Sequence, residues 1–140
     1  MIYLPKRALF IHIPRTGGNS ITSAIASSCA GKGIDIIIGT ASLKLNHWGK
    51  FQRHGRACIL RTFIEEWDDI FKFAIYRPEE ERDYHWEKFQ TRDWDYCTKG
   101  SNREEIGVCK YNLSELNEKW PEICDKCKIP RSDLPYLNKS

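Results

Sequence analysis

Arg15, Thr16 and Ser20, set around Gly17-Gly18 in the stretch Pro14-Arg15-Thr16-Gly17-Gly18-Asn19-Ser20, are residue types that hold an oxyanion. The guanidinium would supply charge-assisted hydrogen bonds, and the two hydroxyls would add donors. The glycines permit a tight turn and let a ligand come close to bare backbone. Ahead of them, Ala8 to Ile13 is a short apolar run in which only His12 is polar, the pattern of a parallel-sheet strand, and Pro14 ends it. Ser20 and Thr22 are capping types, and Ile21, Ala24 and Ile25 follow at helical spacing, so a helix is expected from about Ser20 to Ser28. Its first N–H groups lack internal partners and carry the positive end of the dipole. Strand, glycine turn and helix start together read as a cradle for phosphate or sulfate. The bland alternative is an ordinary strand–loop–helix connection with incidental glycines. The stretch is not a nucleotide-triphosphate loop, which requires Lys-Ser/Thr after its last glycine; here Asn19-Ser20 follow Gly18.

Other elements must position this cradle. Ile34 to Ile38 is a β-branched run that predicts a second strand. Leu60, Phe63, Ile64, Trp67 and Phe71 fall at roughly helical spacing and predict a helix over residues 57–70. Phe71 to Tyr76 predicts a third strand, ending at Arg77-Pro78, and a charged helix is expected from Glu79 to about Phe89. Residues 90–103 read as loop. Ser114 is placed to cap a last helix through about Cys127, with Pro121 as its weak point, and residues 130–140 read as irregular. Strands alternating with helices predict a three-layer α/β domain with a central parallel sheet, a single domain over residues 1–140. Ligands on such sheets bind at the carboxyl ends of the strands. Pro14-Arg15 and Arg77-Pro78 are two such ends, which points to one shared anion site.

Composition narrows the class. A net charge of +3 suits an anionic ligand but is far too small to argue for nucleic acid. No apolar run approaches membrane-spanning length. The first strand begins almost at once and leaves no room for a signal peptide, so a cytoplasmic site is expected, of a cell or of a virus-infected host. Six cysteines are present, with Cys124-Asp125-Lys126-Cys127 at metal-type spacing. Cys97 and Cys109 could complete a four-thiolate zinc site, although they are too far apart in sequence to form a knuckle of their own. Free thiols are the other reading.

Phe10-Ile11-His12-Ile13-Pro14-Arg15-Thr16-Gly17-Gly18-Asn19-Ser20-Ile21 closely resembles the 5′-phosphosulfate loop of sulfotransferases, nearest to the carbohydrate-type branch and its bacterial and viral relatives. That family usually writes the loop as Pro-Lys-Thr-Gly-Gly-Thr-Ser; here the basic residue is Arg15. Phe71-Lys72-Phe73-Ala74-Ile75-Tyr76-Arg77-Pro78, then Arg82, resembles the family's 3′-phosphate strand, with the spacing of the two arginines kept and His85 where a serine is usual. Trp120 to Pro130 and Leu134-Pro135-Tyr136-Leu137-Asn138-Lys139-Ser140 resemble its late helix and the segment after it. Family members continue past this point, so the resemblance implies a minimal or C-terminally shortened domain. Cys109-Lys110-Tyr111-Asn112-Leu113 stands where the family often has Arg-Tyr-Glu-Asn-Leu, without the acidic residue.

The resemblance implies transfer of a sulfuryl group from 3′-phosphoadenosine 5′-phosphosulfate (PAPS) to a hydroxyl acceptor, with carbohydrate as the acceptor class. Arg15, Thr16, Gly17, Gly18, Asn19 and Ser20 would hold the 5′-phosphosulfate, and Arg15 would also neutralise charge on the departing bridging oxygen. Arg77, with Arg82 and His85, would hold the 3′-phosphate. His47 stands in the order where the family has a histidine, and a near-neutral imidazole suits removal of the acceptor proton; the plain alternative is a surface histidine beside Trp48. His12 reads as structural, and His54 with Arg53 and Arg56 reads as a basic surface. The scheme requires no metal. Three other functions compete with it: a catalytically impaired nucleotide- or anion-binding module of the same fold, a kinase-like phosphotransferase, and a zinc-stabilised interaction domain.

Overall fold

Met1 to Ile11 is apolar except for one turn, Pro5-Lys6-Arg7, and this decides how the sheet begins. The structure, a computed structural model, describes residues 1–12, 18–39, 56–62, 64–76 and 98–134. Strand β1 (Ile2–Leu4) turns back on β2 (Ala8–Ile11) as an antiparallel pair with Leu4 opposite Ala8. The Arg7 N–H donates to the Leu4 carbonyl at 2.9 Å, and Lys6 takes φ +64°. Proline second and a left-handed residue third is type II turn geometry. So short a connection cannot join parallel strands. The sheet is therefore mixed, not the wholly parallel one the alternation predicts.

The remaining strands are β3 (Ile37–Ile38), β4 (Phe71–Tyr76) and β5 (Val108–Asn112), and the spatial order is β3-β1-β2-β4-β5. Strands β2, β4 and β5 are parallel neighbours. Strand β3 lies antiparallel to β1, hence runs with β2. Among the described strands β1 alone is reversed.

Alternation along the strands sends side chains to two separate cores. On one face Ile2, Leu4, Ala8, Phe10, Phe73 and Ile75 pack against helix α1 (Gly18–Cys29) and helix α3 (Leu116–Cys127). On the other, Tyr3, Leu9, Ile11, Ala74 and Val108 pack against helix α2 (Ala57–Leu60), Ile64 and Trp67. All four residues of β2 are at most 1% exposed, which marks it as the strand covered on both faces. The Phe73 ring meets Phe10 and Phe71 at 5.1 and 5.4 Å, and Tyr111 edge-on at 6.4 Å.

Several predicted elements change extent. Of the run at 34–38 only Ile37 and Ile38 pair with the sheet, while Ile34 and Ile36 pack on the α1–α3 core. The helix predicted over 57–70 is two pieces: α2, then a 3-10 turn at Trp67–Asp69. After α2 the Thr62 hydroxyl donates to the Ile59 carbonyl at 2.6 Å. The spacing of Leu60, Ile64 and Trp67 survives because all three face the same core. Strand β5 has no clear alternation, since Cys109 and Lys110 are both exposed at this edge of the sheet. The last helix is capped from Asn112, not Ser114: the Asn112 side chain accepts from the Ser114 N–H at 3.0 Å, and the Glu115 carboxylate accepts the Asn112 N–H at 2.9 Å. A 3-10 turn at Leu113–Glu115 then leads into α3, which runs through Pro121 without ending. The helix predicted at Glu79 to Phe89 lies outside the described residues.

Two stability predictions follow from the local geometry. Lys128 closes α3 at φ +59°, ψ +43°, a left-handed position that glycine adopts without steric cost. Lys128→Gly is expected to raise stability by about 0.5–1 kcal/mol, read from the urea midpoint at unchanged m. Separately, the Tyr3 hydroxyl donates to Glu66, which also accepts from the Lys6 N–H at 3.3 Å. The Tyr3 hydrogen bond holds the Glu66 carboxyl below the usual range, so its contribution is present at neutral pH and is lost as pH falls through the folded-state value. Tyr3→Phe should cost about 1 kcal/mol at pH 7, with a smaller cost in urea titrations at pH 3; an equal loss at both pH values would place the effect elsewhere.

Candidate functional site

The chain winds through the sheet so that its direction reverses at one point. From β2 it crosses by α1, on one face, to β3 at the far edge; it returns by α2, on the opposite face, to β4. The winding direction therefore reverses between β2 and β4, which are hydrogen-bonded parallel neighbours with Ile11 beside Ala74. Helices on opposite faces cannot both fill the space above the strand ends at such a reversal, so ligands on open α/β sheets settle there. The edge is built from the ends of β2, β4 and β5, the start of α1 and the turn that leads into α3.

Helix α1 begins at Gly18, two residues before the predicted start. Ser20 is then a first-turn residue, not a cap, and its side chain is buried. Gly18, Asn19 and Ser20 thus contribute backbone N–H groups from the first turn, where no carbonyl of the same helix reaches them. Arg15, Thr16 and Gly17 lie outside the described residues, as do His47, Arg77, Arg82, His85 and His54. Of the elements next to them, β2, which precedes the cradle loop, and β4, which precedes Arg77, are parallel neighbours whose carboxyl ends lie on the same edge of the sheet. His12 is buried, with its ring 5.7 Å from Phe10 in a stacked arrangement.

At the same edge lies a group that spacing alone does not reveal. Tyr76, the last residue of β4, shares a 2.8 Å hydrogen bond with the hydroxyl of Thr98, which is fully buried. The Lys110 ammonium sits 5.6 Å from the Tyr76 ring centroid. Lys110 donates to Glu105 at 3.1 Å, and Lys99 approaches the same carboxylate oxygen at 3.8 Å. The signal in the sequence is faint: an aromatic before Arg77, and two lysines of which one, Lys99, falls in the stretch read as loop.

The opposite edge holds a buried charge. Lys72, 6% exposed, donates to the Trp67 carbonyl at 2.5 Å and faces that indole at 5.3 Å. Burial pulls its pKa down, against the attraction of Asp68 and Asp69. Its place near the start of β4 makes it a structural tie between the 3-10 turn and the sheet, away from the crevice.

Beside α3, a cavity of about 250 Å³ is lined by Asn117, Trp120, Pro121, Ser132, Asp133 and Leu134. It is smaller than the usual small-molecule pocket of roughly 300–1,000 Å³.

The four-thiolate zinc arrangement does not assemble among the described residues. Cys124 and Cys127 are buried in the α1–α3 core with Cys29, whereas Cys109 is exposed on β5. Among these residues no group of three or more His, Cys, Asp or Glu is disposed to hold a metal, and Cys97 lies outside them. Burial pushes the Cys29, Cys124 and Cys127 thiols up, which disfavours the reactive thiolate. Alkylation mapped by mass spectrometry should therefore label Cys58 and Cys109 in the folded protein, and Cys29, Cys124 and Cys127 only as it unfolds. Ready labelling of Cys127 in the native protein would contradict this packing.

Among the described residues no helix is long and apolar enough to cross a membrane. No family model matches the chain, and no curated protein or solved structure matches it.

Proposed function

We propose that this chain is a sulfotransferase that moves a sulfuryl group from PAPS to a hydroxyl acceptor, with carbohydrate as the acceptor class. The observation that carries the reading is the reversal of winding between β2 and β4. It makes β2, the strand before the Pro14–Ser20 stretch, and β4, the strand before Arg77, parallel neighbours, and this supports a reading in which the two stretches with the strongest resemblance share one site. The opening of α1 at Gly18 adds support, since first-turn N–H groups suit an anion.

When bound, PAPS supplies the transferable sulfuryl group and a good leaving group. In this reading Arg15, Thr16, Gly17, Gly18, Asn19 and Ser20 bind its 5′-phosphosulfate, and Arg77, Arg82 and His85 bind its 3′-phosphate. Arg15 would offer a permanent positive charge to the leaving group's developing negative charge, with no proton transfer of its own. His47 would take the proton from the acceptor hydroxyl. These residues do the work without a metal ligand set. Cytoplasmic placement belongs to the same proposal.

Titration calorimetry with 3′-phosphoadenosine 5′-phosphate, ATP and AMP tests the reading. Wild type is expected to bind the 3′-phosphorylated nucleotide in the micromolar range and in preference to ATP and AMP. Arg15→Ala and Arg77→Ala should each weaken that binding at least about tenfold, as for loss of a charge-assisted contact. Equal binding of ATP, or no binding at all, would overturn it. With binding established, loss of sulfuryl transfer in His47→Ala at unchanged nucleotide affinity would mark an enzyme; a wild type that binds and never turns over would be the impaired binding module.

A further inference from the structure

The cavity of about 250 Å³ between the first turns of α3 and the segment after that helix has no part in the proposed transfer. Asn117, Trp120 and Pro121 form one wall, and Ser132, Asp133 and Leu134 form the other. The second wall is held by three ties. The Arg131 guanidinium meets the Asp125 carboxylate at 3.0 and 2.6 Å. The Trp120 indole N–H donates to the Ser132 carbonyl at 2.7 Å, and the Ser132 hydroxyl donates to the Ala24 carbonyl of α1 at 3.3 Å. A ligand would therefore meet walls that are already built, which lowers the ordering cost of binding. The same bonds commit the indole N–H and the Ser132 hydroxyl proton, so neither is left for a guest. Asp133 differs. It is the one acidic or basic side chain in the lining, it is exposed, and among the described residues its carboxylate has no hydrogen bond or ion pair.

We propose that this cavity binds a small primary alkylammonium ion, with Asp133 as its counter-charge. An anion would be repelled by Asp133. An ammonium brings the donors that the lining has already spent, and it gains a charge-assisted hydrogen bond to the carboxylate. Pro121, Leu134 and Trp120 offer apolar surface to the alkyl stem, and an indole is the best aromatic partner for a cation. A bare divalent ion fits less well, because it requires about six oxygen ligands, and among the described residues no group of three or more acidic or other metal-ligating side chains is disposed to hold one. Size sets the other limit. At about 30 Å³ for each water-sized group, the space admits about eight non-hydrogen atoms, enough for an alkylamine and too few for a nucleotide. The site is thus separate from the one assigned to PAPS, and it stands or falls independently of that assignment.

The test is an NMR titration of the full chain with n-pentylammonium chloride at constant ionic strength, and with n-pentanol as an uncharged analogue of the same shape. Wild type, Asp133→Asn and Glu118→Gln are compared. Wild type is expected to bind the ammonium saturably, with a Kd in the millimolar range or below, to shift the Trp120 indole N–H resonance, and to bind the alcohol more weakly. Asp133→Asn should weaken the ammonium about three- to tenfold, to the level of the alcohol. Glu118→Gln removes an exposed charge of α3 outside the lining and should change the affinity by less than about twofold. An unmoved affinity in Asp133→Asn overturns the proposal. So does an equal loss in Glu118→Gln, which would reduce the effect to general surface charge, and so does alcohol bound as tightly as ammonium or a titration that never saturates. Should Asp133→Asn not melt like wild type, the ratio of ammonium to alcohol affinity in wild type decides. No nucleotide is present, so none of these outcomes bears on the PAPS reading.

Discussion

Parallel pairing of β2 with β4 is the constraint that the rest of this structure serves. Two parallel neighbours cannot be joined by a turn, so the chain between them must pass over a face of the sheet. Here it passes over both, by α1 on the way out to β3 and by α2 on the way back. Both faces of β2 are thereby buried, which is why Leu9 and Ile11 must be as apolar as Ala8 and Phe10. The same route leaves the ends of β2 and β4 side by side with the helices diverging. Core burial and the candidate crevice are two consequences of one topology.

Among the described residues, polar groups in the core act as ties between layers. There Trp67 and Trp120 are buried, and each finds a backbone carbonyl for the indole N–H: Ile106 at 2.9 Å and Ser132 at 2.7 Å. A large apolar ring that also needs one acceptor fixes orientation as well as area. Trp67 joins the 3-10 turn to the segment before β5. Trp120 joins α3 to residues 130–134, and the Ser132 hydroxyl donates on to Ala24 of α1 at 3.3 Å. Lys72 adds a third tie, in which the ammonium is satisfied by a carbonyl and an aromatic face together. A buried lysine held this way specifies an arrangement more than it adds stability.

Around the cradle loop, whose residues 13–17 lie outside the described ones, the flanking elements were legible in outline: a buried strand ends at Ile11 and a helix starts at Gly18. The start of that helix was misjudged, because Ser20 has the chemistry of a cap and yet sits inside the first turn. Capping type is a statement about what a side chain can do, and the backbone around it decides whether it does so. Tyr76, Thr98, Glu105 and Lys110 were not legible at all. Each has an ordinary role on its own, and only the pairing of β4 with β5 sets them against one another.

Local chemistry by itself determined the strand at Phe71–Tyr76, the strand from Ala8 and the helix from Gly18, and a helix through Trp120 to Cys127, since each has a strong period or strong punctuation of its own. It also determined the α/β class, through the alternation of those elements. Tertiary structure decided that Ile2–Leu4 is a strand of the sheet at all; once it pairs, the three-residue turn at Pro5-Lys6-Arg7 makes it antiparallel to β2 and the sheet mixed. It alone decided that the helical spacing from Leu60 to Trp67 is shared by a short helix and a 3-10 turn, since a common core rewards the spacing without requiring one continuous helix. And it alone made β2 and β4 neighbours: strand order depends on which faces the crossovers bury, a property of the whole sheet and of no single segment.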